Sequence, residues 1–165
     1  MDTRGAWIEQ AIPHHEAALF RLCFAYLGDS ALAEDAVQDT FVKAYKGYDR
    51  YCQEGDEKTW LTRIAINTCK DIRKSAWFRH VDRSTALERL PEEEVPFTER
   101  DDTLTRAVMG LKPRLREVVL LHDCQGLTAE ETANALGIAR STMYKRLTKA
   151  HQLLRNELEV WYRDR

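Results

Sequence analysis

The clearest chemical pattern in the sequence is a polar, basic helix face within residues 140–154. Apolar residues recur there at helical spacing, at Met143, Leu147, Ala150 and Leu154, and predict one buried stripe. Another face carries hydroxyl, cationic and aromatic side chains: Ser141, Tyr144, Lys145, Thr148 and Lys149. Cations bind phosphates, and cationic and hydroxyl groups hydrogen-bond to base edges in the major groove. This face therefore indicates binding to duplex DNA. The alternative is an ordinary helical hairpin with a solvated charged face.

The residues just before this face predict the elements that position it. Thr128 and Glu131 have the spacing of a capping box, which starts a helix at about Ala129. Gly137 tolerates positive φ and ends that helix. A second helix follows from about Ala139, although alanine is a weak N-cap. Two short helices joined by a glycine turn, the second with a basic face, are typical of a helix-turn-helix.

A second basic segment lies in the middle of the chain, in residues 58–83, where only Asp71 and Asp82 oppose many lysines and arginines. An apolar stripe predicts a helix here. Its polar face carries Arg63, Asn67, Lys70, Arg73 and Lys74, with Trp60, Trp77 and Phe78 interleaved. Such a face can hold a nucleic-acid backbone and stack on unpaired bases. The alternative is that the tryptophans belong to the core and the cations are solvated.

A third surface is predicted on a helix over residues 31–48. Its buried stripe is formed by Ala33, Val37, Phe41, Ala44 and Tyr48. The opposite face carries Asp35, Gln38, Asp39, Val42 and Lys46. An apolar valine among polar neighbours suits a docking surface, and a plain solvated face is the alternative.

The bulk composition limits the classes of function. The chain has 165 residues and a net charge of −2, but its charge is segregated into basic and acidic segments that form local patches. The four cysteines form no CxxC pair or Cys/His ligand cluster, so we expect no metal site. His14 and His15 are adjacent and cannot chelate one ion as an i, i+4 pair does, so we expect both on the surface. A metal hydrolase using these histidines lacks the required ligand spacing and acid/base pair. We therefore expect no cofactor and no catalysis.

We also expect a cytoplasmic protein with reduced cysteines, because the sequence shows no signal peptide and no apolar run long enough to cross a bilayer. The predicted fold class is all-α, with two small helical domains joined by a flexible linker. The N-terminal domain covers residues 1–80 and the C-terminal domain, with the helix-turn-helix, covers 101–165. The linker, 81–100, loses helical periodicity and holds Pro91, Pro96 and three consecutive glutamates. Pro13 is expected near a helix start or a kink.

The order of three segments carries a resemblance to a known family. AEDAVQDTFVKAYKGYDRY is followed by KTWLTRIAINTCKDIRK and, after the linker, by LKPRLREVVLLHDCQGLTAEETANALGIARSTMYKRLTKAHQLL. Together they resemble the extracytoplasmic-function group of bacterial RNA polymerase sigma factors. The resemblance implies that the first domain docks on core RNA polymerase and opens the promoter −10 element, and that the second reads the −35 element as duplex. It also implies an anti-sigma factor as a partner, without a small-molecule substrate or membrane insertion.

The resemblance further implies roles for individual residues. The polymerase-docking face would be Asp35, Gln38, Asp39 and Val42. The −10 contacts would come from Tyr51 and Asn67 at a flipped base and from Lys70, Arg73 and Lys74 on the backbone. The −35 contacts would come from Arg140, Ser141, Tyr144, Lys145, Arg146, Thr148 and Lys149. Departures from the family pattern are Thr132 in place of an aliphatic residue, Tyr144 in place of a basic one, and the acidic loop CQEGDE. The alternative function is a sigma-like interaction module that does not read promoters.

Overall fold

The computed structural model describes residues 2–51, 55–80 and 99–163, and within these residues the regular structure is helical, without strands. The α-helices are α1 (Thr3–Leu27), α2 (Ser30–Gly47), α3 (Glu57–His80), α4 (Glu99–Met109), α5 (Pro113–Val119), α6 (Ala129–Leu136) and α7 (Arg140–Arg163). A 3₁₀ turn, Tyr48–Arg50, follows α2, and a π turn, Leu120–Cys124, follows α5. The predicted all-α class is confirmed for this part of the chain.

Helices α1, α2 and α3 form an N-terminal three-helix group. Gly28 ends α1 in the left-handed conformation (φ 70°), which glycine adopts without a Cβ clash. Asp29 then caps α2, because its carboxylate accepts from the backbone N–H of Leu32 at 2.9 Å. The predicted apolar stripes meet in the core of this group, where Tyr26 and Leu61 are fully buried.

Helices α4 to α7 form a C-terminal group around the buried side chains of Val118, Leu121 and Met143. Pro113 opens α5 at its first turn, because proline has no N–H to leave unpaired there. The helix then widens into the π turn, in which the N–H of Gln125 bonds to the carbonyl of Leu120 at 2.9 Å.

The predicted helix-turn-helix is present as α6 and α7. Thr128 Oγ1 accepts from the N–H of Glu131 at 3.1 Å, and the Glu131 carboxylate accepts from the N–H of Thr128 at 3.2 Å. Both halves of the predicted capping box are therefore formed. Gly137 ends α6 with a φ of 65°, also as predicted.

The two helical groups pack against each other, and their buried apolar residues form one continuous core cluster. Arg116 of α5 donates to the backbone carbonyl of Tyr26 at the end of α1, and its guanidinium lies 5.9 Å from the centre of the Tyr26 ring. The Thr59 hydroxyl at the start of α3 donates to the carboxylate of Glu131 at 2.8 Å. These polar contacts fix one group relative to the other.

Pro13 lies inside α1, which begins at Thr3. One prediction about local structure is wrong, since His15 was expected on the surface. His15 is buried, because its position continues the core-facing row of Ala11 and Leu19. Helix α4 begins at Glu99, so its first two residues fall within the predicted linker, 81–100. The rest of the predicted linker, residues 81–98, lies outside the described residues.

Candidate polymerase-binding and DNA-binding surfaces

The first three turns of α7 present the predicted DNA-reading face to solvent. Met143, Leu147 and Ala150 are buried against the rest of the C-terminal group and fix the rotation of the helix. The side chains between them point outward, and Tyr144 is 48% exposed. Exposed on this face are Arg140, Ser141, Tyr144, Lys145, Thr148 and Lys149. Arg146 differs, because it is half-buried and its Nη1 lies 3.9 Å from a carboxylate oxygen of Glu117.

Helix α6 packs against α7 and carries a polar side chain, that of Thr132, in the apolar core. Thr132 is fully buried, and its hydroxyl finds no hydrogen-bond partner among the described residues. An aliphatic side chain of the same shape would avoid the desolvation of that hydroxyl.

The basic face of α3 is divided between solvent and the C-terminal group. Arg63, Asn67 and Lys74 are exposed. Lys70 and Arg73 are half-buried, and Lys70 Nζ lies 3.6 Å from Glu117 Oε2. The predicted −10 side chains therefore share one helix but do not all face solvent.

Glu117 of α5 is the charged residue that connects the two predicted DNA-binding faces. It is 4% exposed, with Lys70 on one side and Arg146 on the other. Burial raises the pKa of its carboxyl, while the nearby Lys70 charge acts in the opposite direction. Sequence reasoning missed this residue. The available signal was a glutamate directly before the apolar run 118–121.

Tyr51 belongs to an aromatic cluster at the end of the N-terminal group. Its ring stacks on Trp60 with centroids 4.3 Å apart, and its hydroxyl donates to the carbonyl of Gly55 at 2.7 Å. Trp60 in turn contacts Trp7, which packs on Tyr48. Asn67 follows Trp60 by two helical turns on α3, so the aromatic cluster and the amide lie along one side of that helix, about 10 Å apart along its axis. Residues 52–54 of the acidic loop lie outside the described residues.

The predicted docking face on α2 is exposed as a continuous strip. Asp35, Gln38 and Asp39 are exposed, and Val42 is 49% exposed. Asp39 forms an i, i+4 ion pair with Lys43 at 3.3 Å.

Two further features beside this strip were not predicted from the sequence. Tyr45 is exposed three residues after Val42 and extends its apolar part, with the Arg4 guanidinium 5.2 Å from its ring centre. A cleft between α1 and α2, lined by Phe20, Val37 and Gln38 among others, adjoins the strip.

The part of the chain that the structure describes contains no group of three or more His, Cys, Asp or Glu side chains able to hold a metal ion. It also contains no helix that is both long and apolar enough to span a membrane.

The two helical groups each match a known protein family. Residues 12–79 match the family described as Sigma-70 region 2, and residues 101–154 match Sigma-70, region 4. The chain is 34% identical over 154 residues to the ECF RNA polymerase sigma factor SigL of Mycobacterium tuberculosis, covering 88% of this chain and 85% of that protein.

Two further similarities are in line with this match. The ECF RNA polymerase sigma factor SigE of Mycolicibacterium smegmatis is 30% identical over 157 residues, which cover 91% of this chain and 61% of that protein. The fold is similar to that of the sigma factor RpoE of Bartonella quintana, solved in complex with the anti-sigma factor NepR, with a TM-score of 0.74 and 23% identity over 92% of this chain and 96% of that one. The chain therefore belongs to the extracytoplasmic-function group of bacterial RNA polymerase sigma factors.

Proposed function

We propose that this chain binds core RNA polymerase and directs promoter-specific initiation by opening the −10 element and reading the −35 element, without catalysis of its own. The observation that carries the proposal is the outward face of α7. Six polar or cationic side chains lie there on a helix that the capping box and the buried stripe hold in one orientation. A groove reader needs this combination of a fixed helix and free polar side chains.

The −35 element would be read by the exposed residues of α7. Tyr144 and Lys145 lie near the N-terminal part of the helix, which enters the groove in helix-turn-helix proteins. Lys149 and Arg140 flank them and can neutralise phosphates. Ser141 and Thr148 supply hydroxyls that serve either base edges or the backbone. Arg146 would add a further cation to this set, half-buried beside Glu117.

The −10 element would be held as a single strand on the N-terminal group. A flipped base can stack on the aromatic cluster around Tyr51 and Trp60, and the amide of Asn67 offers both a donor and an acceptor to a base edge. Lys74 is free to bind the backbone beside them, and Lys70 and Arg73 continue the cationic row.

Core polymerase would dock on the α2 strip of Asp35, Gln38, Asp39 and Val42. Its centre is apolar at Val42 and extends to Tyr45, and the two aspartates favour a basic partner surface. We also propose an anti-sigma factor as a partner, since the similar RpoE of Bartonella quintana was solved with one. The proposed role places the protein in the bacterial cytoplasm.

The test is transcription with reconstituted enzyme. The full chain and bacterial core polymerase are incubated with a library of promoter fragments, and the transcript 5′ ends are sequenced. We expect start sites preceded by a two-part motif. Tyr144→Ala and Lys145→Ala should weaken the upstream half of that motif only, while the control Arg21→Ala, an exposed cation of α1, should leave both halves unchanged. Binding to core without selected start sites would favour the interaction-module alternative, and absence of core binding would exclude the sigma role.

A further inference from the structure

The two proposed DNA-binding faces lie too close together to read one promoter in this arrangement. Lys70 Nζ lies 3.6 Å and Arg146 Nη1 3.9 Å from the two oxygens of the same carboxylate. Elements named for positions −10 and −35 are centred about 25 base pairs apart, or roughly 85 Å along B-DNA at 3.4 Å per base pair. If the proposed function holds, the two helical groups must separate before both elements are bound, and the Lys70–Glu117 contact must break.

Glu117 is well placed to oppose that separation. Its carboxylate is almost completely buried between α3 and α7, and Lys70 reaches it from the other helical group. The attraction between the two charges is stronger at this buried position than it would be in water, and separating the groups removes it. Of the Lys70–Glu117, Thr59–Glu131 and Arg116–Tyr26 contacts between the groups, only the first uses a side chain proposed to bind DNA. The other two, Thr59 to Glu131 and Arg116 to the Tyr26 carbonyl, use residues without such a role.

We propose that Glu117 is an electrostatic latch that keeps the free chain closed and withholds Lys70 from promoter DNA. In the closed chain the Glu117 carboxylate pairs with the Lys70 ammonium group, which would otherwise be available to a backbone phosphate of the DNA. Opening exchanges one anion for the other: Lys70 leaves Glu117 for a phosphodiester, while Arg146, which belongs to the same helical group as Glu117, stays beside the carboxylate. Single-stranded −10 DNA and the closed arrangement therefore compete for Lys70.

Two variants break the latch from opposite sides. Glu117→Gln removes the carboxylate charge with little change in shape, and Lys70→Gln removes the cation from the edge of the N-terminal group. Small-angle X-ray scattering of the full wild-type chain should match the curve calculated for the closed arrangement. Both variants should give a larger radius of gyration. Glu130→Gln, an exposed acid of α6 with the same charge change as Glu117→Gln, is the matched control and should keep the wild-type radius.

DNA binding provides the second measurement. Glu117→Gln should bind a single-stranded −10 oligonucleotide more tightly than wild type by about three- to ten-fold, because the closed arrangement no longer competes for Lys70. Glu130→Gln should show only the small gain due to net charge. A wild-type chain that is already extended, or a folded Glu117→Gln chain with unchanged radius and unchanged affinity, would overturn the latch.

The same measurements separate the latch from the proposed function. If both variants expand but no variant binds promoter DNA, the proposed function fails and the mechanical role of Glu117 remains. If the wild type initiates transcription at a two-part motif while both variants stay closed, the proposed function stands and the latch is wrong. A circular dichroism melt of each variant identifies any chain that fails to fold, in which case the other variant decides.

Discussion

His151 Nε2 lies 2.6 Å from Asp123 Oδ2, so the middle of α7 is tied to the π turn that precedes the helix-turn-helix. The other oxygen of Asp123 lies 2.8 Å from His122 Nδ1. Burial alone would raise the pKa of Asp123, but the hydrogen bonds with His122 and His151 outweigh it, and the pKa of this carboxyl is lowered. The carboxylate form is therefore the one that stabilises the folded chain.

Asp123→Asn should destabilise the C-terminal group most at neutral pH. A lowered folded-state pKa contributes stability above the unfolded value, near pH 3.9, and that contribution is lost as the pH falls through the folded pKa. The group is about one-third exposed, so we expect a loss of about 0.5–1 kcal/mol at pH 7. Urea unfolding at pH 7 and at pH 3 measures it, and a difference from wild type that is as large at pH 3 as at pH 7 would contradict this explanation.

Thr132→Val should stabilise the chain. The substitution keeps the shape of the side chain and removes a buried hydroxyl that lacks a partner among the described residues, and we expect a gain of about 1 kcal/mol. Thr148→Val, at an exposed position on α7, is the matched control and should change stability by less than about 0.5 kcal/mol. The measurement is the urea midpoint at constant slope, and a destabilised Thr132→Val chain would mean that the hydroxyl is satisfied in solution.

Asn67→Ala should impair promoter opening and leave folding intact. The residue is exposed on α3, and alanine has the higher helix propensity. Loss of an amide that pairs with a flipped base removes contacts made only in the open complex. Permanganate footprinting of the −10 region detects opening, and Gln10→Ala, an exposed amide of α1, is the control. Wild-type footprints from Asn67→Ala would remove this residue from the base pocket.

Asp39→Arg should weaken binding to core polymerase without unfolding the chain. The substitution removes only a surface i, i+4 pair with Lys43, worth a few tenths of a kcal/mol. A reversed charge at a docking surface should cost binding about 1–3 kcal/mol. Titration of labelled core enzyme measures this loss, and Glu9→Arg on α1 carries the same charge change at another exposed site. Equal weakening by both variants would indicate a non-specific charge effect.

Lys149→Ala should reduce the salt dependence of duplex binding. Each phosphate contact that is lost lowers the slope of log K against log salt by roughly 0.9. The full chain is titrated with −35 duplex at several salt concentrations, with Lys46→Ala on α2 as the control. An unchanged slope for Lys149→Ala would show that this lysine contacts no phosphate.

The helix-turn-helix was predictable from sequence because local residues encode it. Thr128 and Glu131 satisfy each other within four residues, and Gly137 supplies the left-handed turn, so no distant partner is needed. The exposure of the α2 strip and of the α7 face also followed from helical periodicity. These features survive in the structure because tertiary packing agrees with local preference.

Glu117 and His15 were not predictable in the same way. Each is buried by contact with a helix distant in sequence, and their partners, Lys70 and Glu57, lie 47 and 42 positions away by residue number. A polar residue at a core-facing position of a helix indicates that it has a partner, but the sequence does not identify that partner. The partial burial of Lys70 and Arg146 could therefore be seen only in the assembled fold.

Helix α7 runs without a break for 24 residues, a rod about 36 Å long at 1.5 Å per residue. Its first turns carry the proposed groove-reading face, and its second half presents Leu153 and Val160, 42% and 56% exposed, seven positions apart on one side. An unbroken helix carries a displacement of one end to the other. If the proposed DNA-binding role holds, a partner that moves the second half of α7 would therefore also tilt the DNA-reading face in its first turns.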